Sequence, residues 1–369
     1  MRINRYIAII MITIVVSTIV VSCRYDKPED DVLVDIYGTP YPFESPPFFP
    51  PMDVPSDNPL TYEAIDLGRH LFWETKLSGD NTQSCGSCHL PEHGFSDPNQ
   101  FSVGITGAIG NRQAMPLVNM GWSTTFFWDG RAATLEEQVL QPVENPIEMN
   151  ESWENALAEL RLDPLYPAKF KAAFGSEDIT KERAAKAMAS FLRIMVSANS
   201  KFDRQRIGQY IFTEEEQRGF TLFITEGGDP EVNPIFQGGA DCFHCHGYGA
   251  MQMTDYLFHN NGLDQTFEND PGRFLVTGNP LDSGRFKAPT LRNVELTSPY
   301  MHDGRFVTLE EVINHYDTGG QPSSTIDAFM KYSSGGLGLT EQKKSDLLAF
   351  LKCLTDTSFI NDPAFSNPH

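Results

Sequence analysis

Apolar residues recur every three to four positions in several long stretches of the chain, with polar residues between them. The stretches are ESWENALAELR (151–161), KERAAKAMASFLRIMVSA (181–198), EEEQRGFTLFI (214–224) and EQKKSDLLAFLKCL (341–354). This spacing is typical of amphipathic α-helices, because it places the apolar side chains on one face of the helix. Alternating patterns that would indicate strands are sparse. The chain is therefore predicted to be mainly α, with long loops between its helices.

The N-terminal residues have the organisation of an export signal. Positive charges in MRINR precede the apolar run YIAIIMITIVVSTIVV (6–21), and VVSC ends at Cys23. This arrangement resembles a bacterial lipobox and predicts that residues 1–22 are a cleaved signal peptide and that Cys23 carries lipid. The alternative is an uncleaved membrane anchor, although a membrane span needs roughly 20 apolar residues. Both interpretations export the rest of the chain. The first predicts a protein of the periplasm or cell envelope, held to the membrane by its lipid anchor only.

Residues 23–60 are predicted to form a proline-rich tether. Eight prolines lie between residues 39 and 60, and this segment should be extended because proline does not fit in the interior of a helix. It either links the anchor to the folded body or lies against that body as a strap, and the sequence leaves both arrangements open.

An internal repeat divides the rest of the chain. DGRAATLEEQV (129–139) matches DGRFVTLEEVI (303–313), and PLVN (116–119) matches PTLRN (289–293) in the same order. In each copy of the longer match, Thr-x-x-Glu forms a capping box, so each helix is expected to start at that threonine. The repeat predicts two related domains, residues 61–205 and residues 206–369.

Two segments with the pattern Cys-x-x-Cys-His, SCGSCHL and DCFHCHG, occur upstream of the repeated helices. Two cysteines at this spacing can reach both vinyl groups of a haem, and the adjacent histidine can then bind the iron. Two covalently bound haem c groups are therefore predicted. A Cys₄ zinc site is the alternative, but the two pairs lie far apart in the sequence and both carry the histidine, which disulfides would not explain either. The predicted haem-binding residues are Cys85, Cys88 and His89 in the first segment, and Cys242, Cys245 and His246 in the second.

Two nearby residues are predicted to take no part in this chemistry. His244 lies inside the second motif, but its position turns it away from the iron, and it is expected at the surface. Cys353 lies on the apolar face of the last predicted helix, where a cysteine is expected to be a buried core thiol.

The charge of the chain narrows the choice of partner. Acidic residues outnumber basic ones 49 to 28, for a net charge of -21. This balance excludes nucleic acid, since a phosphate backbone is bound by a Lys- and Arg-rich surface. It suits a basic partner such as a small electron-carrier protein, although solubility alone is a sufficient reason for the charge.

The far side of the first haem is predicted to be open. No histidine lies between His93 and His244, and His93 follows the proximal ligand too closely to cross the ring. Methionines remain available as ligands, but an open iron is the simpler interpretation, and it could bind a small molecule such as hydrogen peroxide. Peroxide chemistry needs an acid–base group. Glu148 is a candidate because Pro142 should end the preceding helix and leave this glutamate in a loop.

Three stretches of the chain together resemble the bacterial di-haem cytochrome c peroxidase family, which includes the MauG-like oxidases. They are LSGDNTQSCGSCH, FFWDGRAATLEEQVLQPVENPIEM and APTLRNVELTSPYMHDGRFVTLEEVINHY. The resemblance runs from about residue 60 to about residue 355. It implies two cytochrome c-like haem domains in tandem, with peroxide meeting the first haem and electrons entering at the second.

The resemblance also implies roles for single residues. The peroxide acid–base residue of the family falls on Glu148, and the glutamine of the same pocket falls on Gln138. The tryptophan that relays electrons between the haems falls on Trp128. From the residues alone, Trp128 could equally be core packing and Gln138 a surface amide.

One calcium ion between the domains is a further implication of the resemblance. Its ligands would be backbone oxygens of Thr297 and Pro299 and the side chain of Gln113, where the family usually has an asparagine. The amide oxygen of glutamine suits calcium, but its longer arm differs, and Asn111 is a possible substitute.

Two departures from the usual peroxidase pattern bear on the subfamily. The loop at 101–115 lacks the histidine that caps the first iron in many members, so this haem should need no large activating movement. In the second domain, the register of the usual methionine ligand falls on Tyr316, as in MauG. Leu309, Val312, Ile313 and Tyr316 share one helix face, which should cover the haem. The alternatives to Tyr316 as ligand are Met301, His315 or no protein ligand.

Three functions follow from these features. The first is a di-haem peroxidase that reduces hydrogen peroxide with electrons from an external donor such as cytochrome c. The second is a MauG-like oxidase that uses peroxide to oxidise a protein or a small organic molecule. The third is a non-catalytic electron-transfer protein, which requires protein ligands on both faces of both irons.

Overall fold

The computed structural model describes residues 37–228, 237–249, 251–332 and 335–369. The predicted signal peptide and the lipidation site Cys23 lie outside the described residues. Within them, none of the helices has the length and apolar character needed to cross a membrane.

Helices dominate the described residues, and the only extended pairing between named strands is very short. Strands β1 (Phe258–His259) and β2 (Phe286–Lys287) pair antiparallel, with Phe258 opposite Lys287. This architecture confirms the mainly α prediction. The helices are α1 (Tyr62–Trp73), α2 (Leu135–Glu144), α3 (Trp153–Leu162), α4 (Leu165–Phe174), α5 (Lys181–Ile194), α6 (Lys201–Arg206), α7 (Glu214–Phe223), α8 (Phe274–Thr277), α9 (Leu309–Thr318), α10 (Glu341–Lys352) and α11 (Thr357–Ile360).

The two repeated helices, α2 and α9, start where the sequence predicts. Thr134 and Thr308 are their N-caps, and each threonine side chain accepts a hydrogen bond from the backbone N–H three residues later. A cap of this kind satisfies one of the N–H groups that lack a partner in the first helical turn. The expectation that Pro142 ends α2 is wrong. The helix continues to Glu144, because a proline near the C-terminal end removes only one helical hydrogen bond.

Two equivalent helix pairs, α1 with α5 and α7 with α10, cross at a glycine. A Cβ on Gly68 would lie 2.0 Å from the carbonyl oxygen of Ala187, and one on Gly219 would lie 1.9 Å from that of Asp346. Only glycine therefore allows the two backbones to approach so closely at each crossing. The same crossing in both halves of the chain supports the predicted duplication.

The backbone repeats in the loops as well. Asn119 and Asn293 both adopt left-handed conformations, with φ of 56° and 59°, at the ends of the matched PLVN and PTLRN segments. Phe127 and Met301, which precede the matched segments by two residues, do so too, with φ of 66° and 75°. Left-handed backbone is uncommon for residues other than glycine, so its recurrence at matched positions shows that the two copies fold alike.

Two hydrophobic cores lie within one compact unit formed by the described residues. Helices α1–α5 build the first core, and α6, α7, α9 and α10 build the second. Each core also takes residues from the other half of the chain. Phe359 and Phe365 pack in the first core, whereas Phe49 and Trp122 pack in the second. The predicted boundary at residue 205 falls at the end of α6 and stays a prediction.

The proline-rich residues 39–60 lie against the body, which makes this part of the predicted tether a strap. Phe49 is buried in the second core, and the indole N–H of Trp122 donates to the carbonyl oxygen of Pro50 at 2.8 Å. Asn58 is also buried. The aromatic and polar side chains between the prolines therefore anchor an extended backbone that forms no helix.

Candidate functional site

The first Cys-x-x-Cys-His segment holds its histidine in an orientation suited to binding a metal. A single 3₁₀ turn starts at Cys85, and the backbone N–H of His89 donates to the carbonyl oxygen of Cys85 at 3.0 Å. The His89 Nδ1–H donates to the carbonyl oxygen of Phe95 at 2.9 Å, which fixes the orientation of the ring. Burial lowers the pKa of His89, which favours the neutral imidazole that binds metal ions.

The second segment repeats this arrangement. Its 3₁₀ turn spans Cys242–His244, and the backbone N–H of His246 donates to the carbonyl oxygen of Cys242 at 3.0 Å. The His246 Nδ1–H donates to the carbonyl oxygen of Met253 at 3.2 Å. Burial lowers the pKa of His246 to about 4, which keeps this imidazole neutral as well.

The two motifs lie apart, so the cysteines do not form a single zinc site. Cys85 packs against the first core and Cys242 against the second. Among the described residues, the only cluster of three or more side chains close enough to share a metal ion is Glu226, Asp241 and His244. The four motif cysteines are also free of disulfides in the structure. The geometry of the four cysteines therefore supports neither a shared zinc site nor disulfides.

A cavity of about 220 Å³ adjoins the second motif. The cysteines and histidine of the motif line one part of it, and helix α9 lines another. The four residues of α9 that the sequence places on one face, Leu309, Val312, Ile313 and Tyr316, all line this cavity. An apolar cavity next to covalent attachment points and a neutral histidine fits a haem.

Two of the three candidate ligands for the far side of the second haem reach this cavity. Tyr316 and Met301 both line it, and the side-chain amide of Asn261 donates to both, at 3.2 Å to the tyrosine Oη and 3.5 Å to the methionine Sδ. His315 is engaged elsewhere, since its Nε2–H donates to the carbonyl oxygen of Asn261 at 2.9 Å. Burial raises the pKa of Tyr316 to about 12.

The matching positions of the first half carry no ligand atoms. The two copies of the repeat are offset by 174 residues (Asp303 against Asp129), so Met301 matches Phe127 and Tyr316 matches Pro142. The helices α2 and α9 coincide at both ends under the same offset. Phenylalanine and proline side chains cannot bind a metal ion, and the two halves therefore differ at the positions that place Met301 and Tyr316 at the second cavity.

Glu148 lies close to the first motif. Its carboxylate raises the pKa of both Cys85 and Cys88, although burial is the larger cause. The amide of Asn145 donates to Glu148 Oε1 at 2.5 Å, and the other carboxylate oxygen stays available. Burial raises the pKa of Glu148 itself, while the hydrogen bond from Asn145 and the charge of Arg131 act in the opposite direction.

Gln138 is half-buried on α2, one helical turn before Pro142. Side chains four residues apart share a helix face, so Gln138 and Pro142 face the same direction. The structure thus places Gln138 on the face of α2 that corresponds to the cavity-lining face of α9.

Trp128 lies between the first-half loop and the second cavity. It is buried, it lines that cavity, and its indole N–H donates to the carbonyl oxygen of Gln113 at 2.8 Å. The backbone N–H of Gln113 donates in turn to the carbonyl oxygen of His302 at 2.9 Å. His302 matches Trp128 under the repeat offset, and its ring stacks on Phe286 with centroids 3.5 Å apart. The repeat could have singled out His302 from the sequence.

The three predicted calcium ligands, Gln113, Thr297 and Pro299, line the same cavity. The Gln113 amide nitrogen donates to Ser96 Oγ at 2.9 Å and to the carbonyl oxygen of Asp97 at 3.0 Å. This side chain is therefore fixed, whereas the suggested substitute Asn111 is exposed.

The structure corrects the expectation that His244 is a surface residue. His244 is half-buried, with Nε2 at 3.1 Å from Glu226 and 3.2 Å from Asp241, and its ring stacks on Phe329. The ammonium group of Lys331 pairs with the same two carboxylates, at 2.7 and 3.2 Å. A hydrogen bond to Glu226 and stacking on Phe329 hold His244 inside this cluster. Cys353, by contrast, is fully buried as expected.

Comparison with known proteins agrees with the two motifs. A family model described as di-haem cytochrome c peroxidase matches residues 62–210. The chain is 35% identical over 302 residues to the methylamine utilization protein MauG of Methylorubrum extorquens, covering 81% of this chain and 80% of that protein. It is 34% identical over 342 residues to the cytochrome-c peroxidase IdrP1 of Denitromonas iodatirespirans, covering 84% and 85%. A MauG-like protein associated with microbial copper homeostasis has a similar crystal structure, with a TM-score of 0.79 and 38% identity over 89% of this chain and 99% of that chain.

The chain therefore belongs to the di-haem cytochrome c peroxidase family, in which relatives named as peroxidases and as MauG both occur. Membership implies an oxidoreductase with two c-type haems. In this chain the two Cys-x-x-Cys-His segments described above are the residues that would hold them.

Proposed function

We propose that the chain reduces hydrogen peroxide to water at the first haem site, with electrons that an external donor such as a small cytochrome c delivers through the second site. One observation carries this proposal. The positions that present Met301 and Tyr316 to the second cavity are occupied by Phe127 and Pro142 in the first half, so at these positions the first site lacks the ligand atoms that the second site has.

Each turnover consumes one peroxide, two electrons and two protons and yields two water molecules. The haem, when bound, supplies the redox-active iron. Glu148 handles the protons: Asn145 holds Oε1, and Oε2 takes a proton from one peroxide oxygen and returns it to the other as the O–O bond breaks. Gln138, on the matching face of α2, positions the peroxide next to this carboxylate.

Trp128 has the position of a relay between the two sites. It belongs to the first half of the chain but lines the cavity of the second. Its backbone carbonyl accepts a hydrogen bond from the N–H of Lys287 at 2.8 Å, and its indole is fixed by Gln113. A buried aromatic residue whose ring and backbone are both held by hydrogen bonds suits electron transfer, which depends on a fixed distance between donor and acceptor.

Steady-state turnover with reduced cytochrome c tests the proposal. The holoprotein should oxidise two molecules of cytochrome c per peroxide consumed, and the variant Glu148→Gln should lose this activity while keeping both haems. Peroxide consumption that leaves cytochrome c reduced would contradict the proposed use of an external electron donor.

A MauG-like oxidase is the second candidate, and a specific observation favours it. The phenol of Tyr316 lies at the cavity of the second haem, within hydrogen-bond distance of Asn261. An anionic oxygen ligand would stabilise ferric iron and lower its reduction potential, which makes electron uptake from a carrier harder. Replacement by methionine should then raise the potential. If Tyr316→Met gains cytochrome c peroxidase activity that the natural chain lacks, the oxidase candidate prevails.

We also propose one calcium ion bound by Gln113, Thr297 and Pro299, and export of the chain with a lipid on Cys23. The shared cavity of the three residues supports the first, and the oxygen atoms they offer are those calcium prefers. The N-terminal sequence pattern alone supports the second.

A further inference from the structure

Lys287 is a buried lysine in the wall of the second cavity. It lies on β2, only 6% of its surface is exposed, and it lines the cavity together with Trp128 and His246. It belongs to the second half of the chain, yet its side chain extends to a loop of the first half. There the ammonium group donates to Ser123 Oγ and to the carbonyl oxygen of Thr125.

The surroundings of this ammonium group are neutral. Besides the two oxygen acceptors, the rings of Phe126 and Tyr256 lie 5.7 and 5.5 Å from the nitrogen. Burial lowers the pKa of Lys287 to about 8, and no carboxylate raises it again. An ammonium group has three N–H donors, so one remains after the two hydrogen bonds to Ser123 and Thr125.

Other buried cations of the described residues have carboxylate partners. Arg193 makes two hydrogen bonds to Glu136, at 2.7 and 3.0 Å. Arg292 makes two to Asp203, at 2.9 and 2.7 Å. A buried charge without a counter-ion is strongly unfavourable. Lys287 differs from these arginines because it has no carboxylate partner, and it lies in the wall of a cavity. This position indicates that its counter-ion belongs to the molecule that fills the cavity.

We propose that Lys287 is the counter-ion of a propionate carboxylate of the second haem and that it ties this haem to the first-half loop at 123–128. A haem carries two carboxylates and is otherwise apolar, which matches a mainly apolar cavity with one unpaired cation in its wall. This inference rests on the two c-type haems of the family and is independent of the proposed peroxide activity.

The pairing has a consequence for the potential of the second haem. A positive charge near the iron disfavours the ferric state, which carries more positive charge than the ferrous state. Lys287 therefore makes this haem easier to reduce, and a neutral side chain in its place should make it harder to reduce. The same lysine holds Ser123 and Thr125, so a loss of stability alone would not distinguish the two roles.

Spectroelectrochemical titration of the holoprotein separates the two roles. Lys287→Met and Lys287→Gln should both lower the equilibrium constant for reduction of the second haem about tenfold, which is 59 mV for one electron. Lys287→Arg should restore most of the difference because it keeps the charge. Lys343→Met is the matched control, since Lys343 also donates to a backbone carbonyl, that of Gly238, but does not line the cavity.

An unchanged potential in either neutral variant would overturn the proposal and leave Lys287 as a clamp between the two halves. Resonance Raman spectra of Lys287→Arg give a second test that needs no neutral variant to fold. The propionate bending bands of the second haem should shift in this variant, because guanidinium and ammonium groups bind carboxylates differently. Bands identical to those of the natural chain would likewise overturn it.

Discussion

Replacement of Glu148 by glutamine tests the proposed proton chemistry with little change in shape. The side chain keeps its length, and a glutamine amide can still bond to Asn145, which now donates to a neutral oxygen. The lost charge assistance of that bond costs about 1 kcal/mol. The burial that raises the pKa of Glu148 also makes its charge unfavourable, and the neutral amide removes this cost. The two effects oppose each other, so the free energy of unfolding should change by less than about 1 kcal/mol.

The effect on the peroxide reaction should be much larger than the effect on stability. A positioned acid–base group contributes about 10²- to 10⁴-fold to a proton-transfer step. This range corresponds to about 3–5 kcal/mol of activation free energy. The substitution should therefore slow the peroxide reaction by at least two orders of magnitude, in a protein that is otherwise close to the natural one.

Stopped-flow mixing of holoprotein with hydrogen peroxide measures this rate directly. Glu144→Gln is the matched control, because Glu144 lies on the same segment but pairs with Lys181 at the surface, at 2.8 Å. Exposed pairs of this kind contribute about 0–1 kcal/mol, and the control should react at the natural rate. A Glu148→Gln protein with both haems and a rate within threefold of the control would refute the assignment.

The pH dependence of the same rate follows from the direction of the pKa shift. Burial raises the pKa of Glu148 above its ordinary value of 4.5, and the reaction needs the carboxylate. The rate should fall as the pH is lowered through this raised pKa, with an inflection above 4.5 that is absent in Glu148→Gln. Since the folded state holds the proton more tightly than the unfolded state, Glu148 should also make the protein less stable as the pH rises through the same range.

Three further predictions concern the fold and the calcium site. Gly68→Ala should destabilise the protein by several kcal/mol because its Cβ would lie 2.0 Å from the Ala187 carbonyl oxygen, whereas Gly249→Ala, with nothing within 4 Å, should cost little in the same thermal melt. Arg193→Met should cost about 1–3 kcal/mol in urea unfolding, because it leaves the half-buried Glu136 carboxylate with Asn58 as its remaining side-chain donor. Burial raises the pKa of Glu136, but the hydrogen bonds and charge of Arg193 outweigh burial and hold this pKa below 4.5. The loss of stability in the variant should therefore be complete at neutral pH and become smaller as the pH falls below about 4.5. Removal of calcium with a chelator should lower the melting temperature, and an unchanged melt together with no bound calcium in the untreated protein would contradict the site.

The regular parts of the fold could be predicted because they depend on local sequence. Helical periodicity located α3, α5, α7 and α10, and the Thr-x-x-Glu boxes located the starts of α2 and α9. Helix α4 is not among the predicted helices, and its sequence LYPAKFKAAF contains a proline. That proline, Pro167, occupies the first turn of the helix, where its missing N–H costs nothing.

Contacts between distant parts of the chain could not be predicted from one sequence. The proline-rich segment left a tether and a strap equally open, because its packing depends on Trp122 and Pro50, which lie 72 positions apart. The same reason applies to Lys287, whose partners Ser123 and Thr125 lie more than 160 positions away. In each case the sequence shows the residue type but not its neighbour.

The candidate site contains features that could be predicted from local sequence and features that could not. The apolar face of α9 was predicted from spacing, and all four of its residues line the second cavity. Asn261, which donates to both Tyr316 and Met301, carried no signal in the sequence. The repeat in the sequence already contains two differences, Phe127 against Met301 and Pro142 against Tyr316. Their importance could be recognised only from the structure, which shows that Met301 and Tyr316 line the second cavity.

The central claim is that the two haem sites differ, with a protein ligand available on the far side of the second iron and none at the matching positions of the first. An electron paramagnetic resonance spectrum of the oxidised holoprotein measures this difference directly. The spectrum should contain one high-spin ferric signal from the first haem and one low-spin signal from the second. In Phe127→Met, the high-spin signal should become low spin if the matched position faces the first iron. Two low-spin signals in the natural protein would show that both irons are closed by side chains, and they would contradict the account.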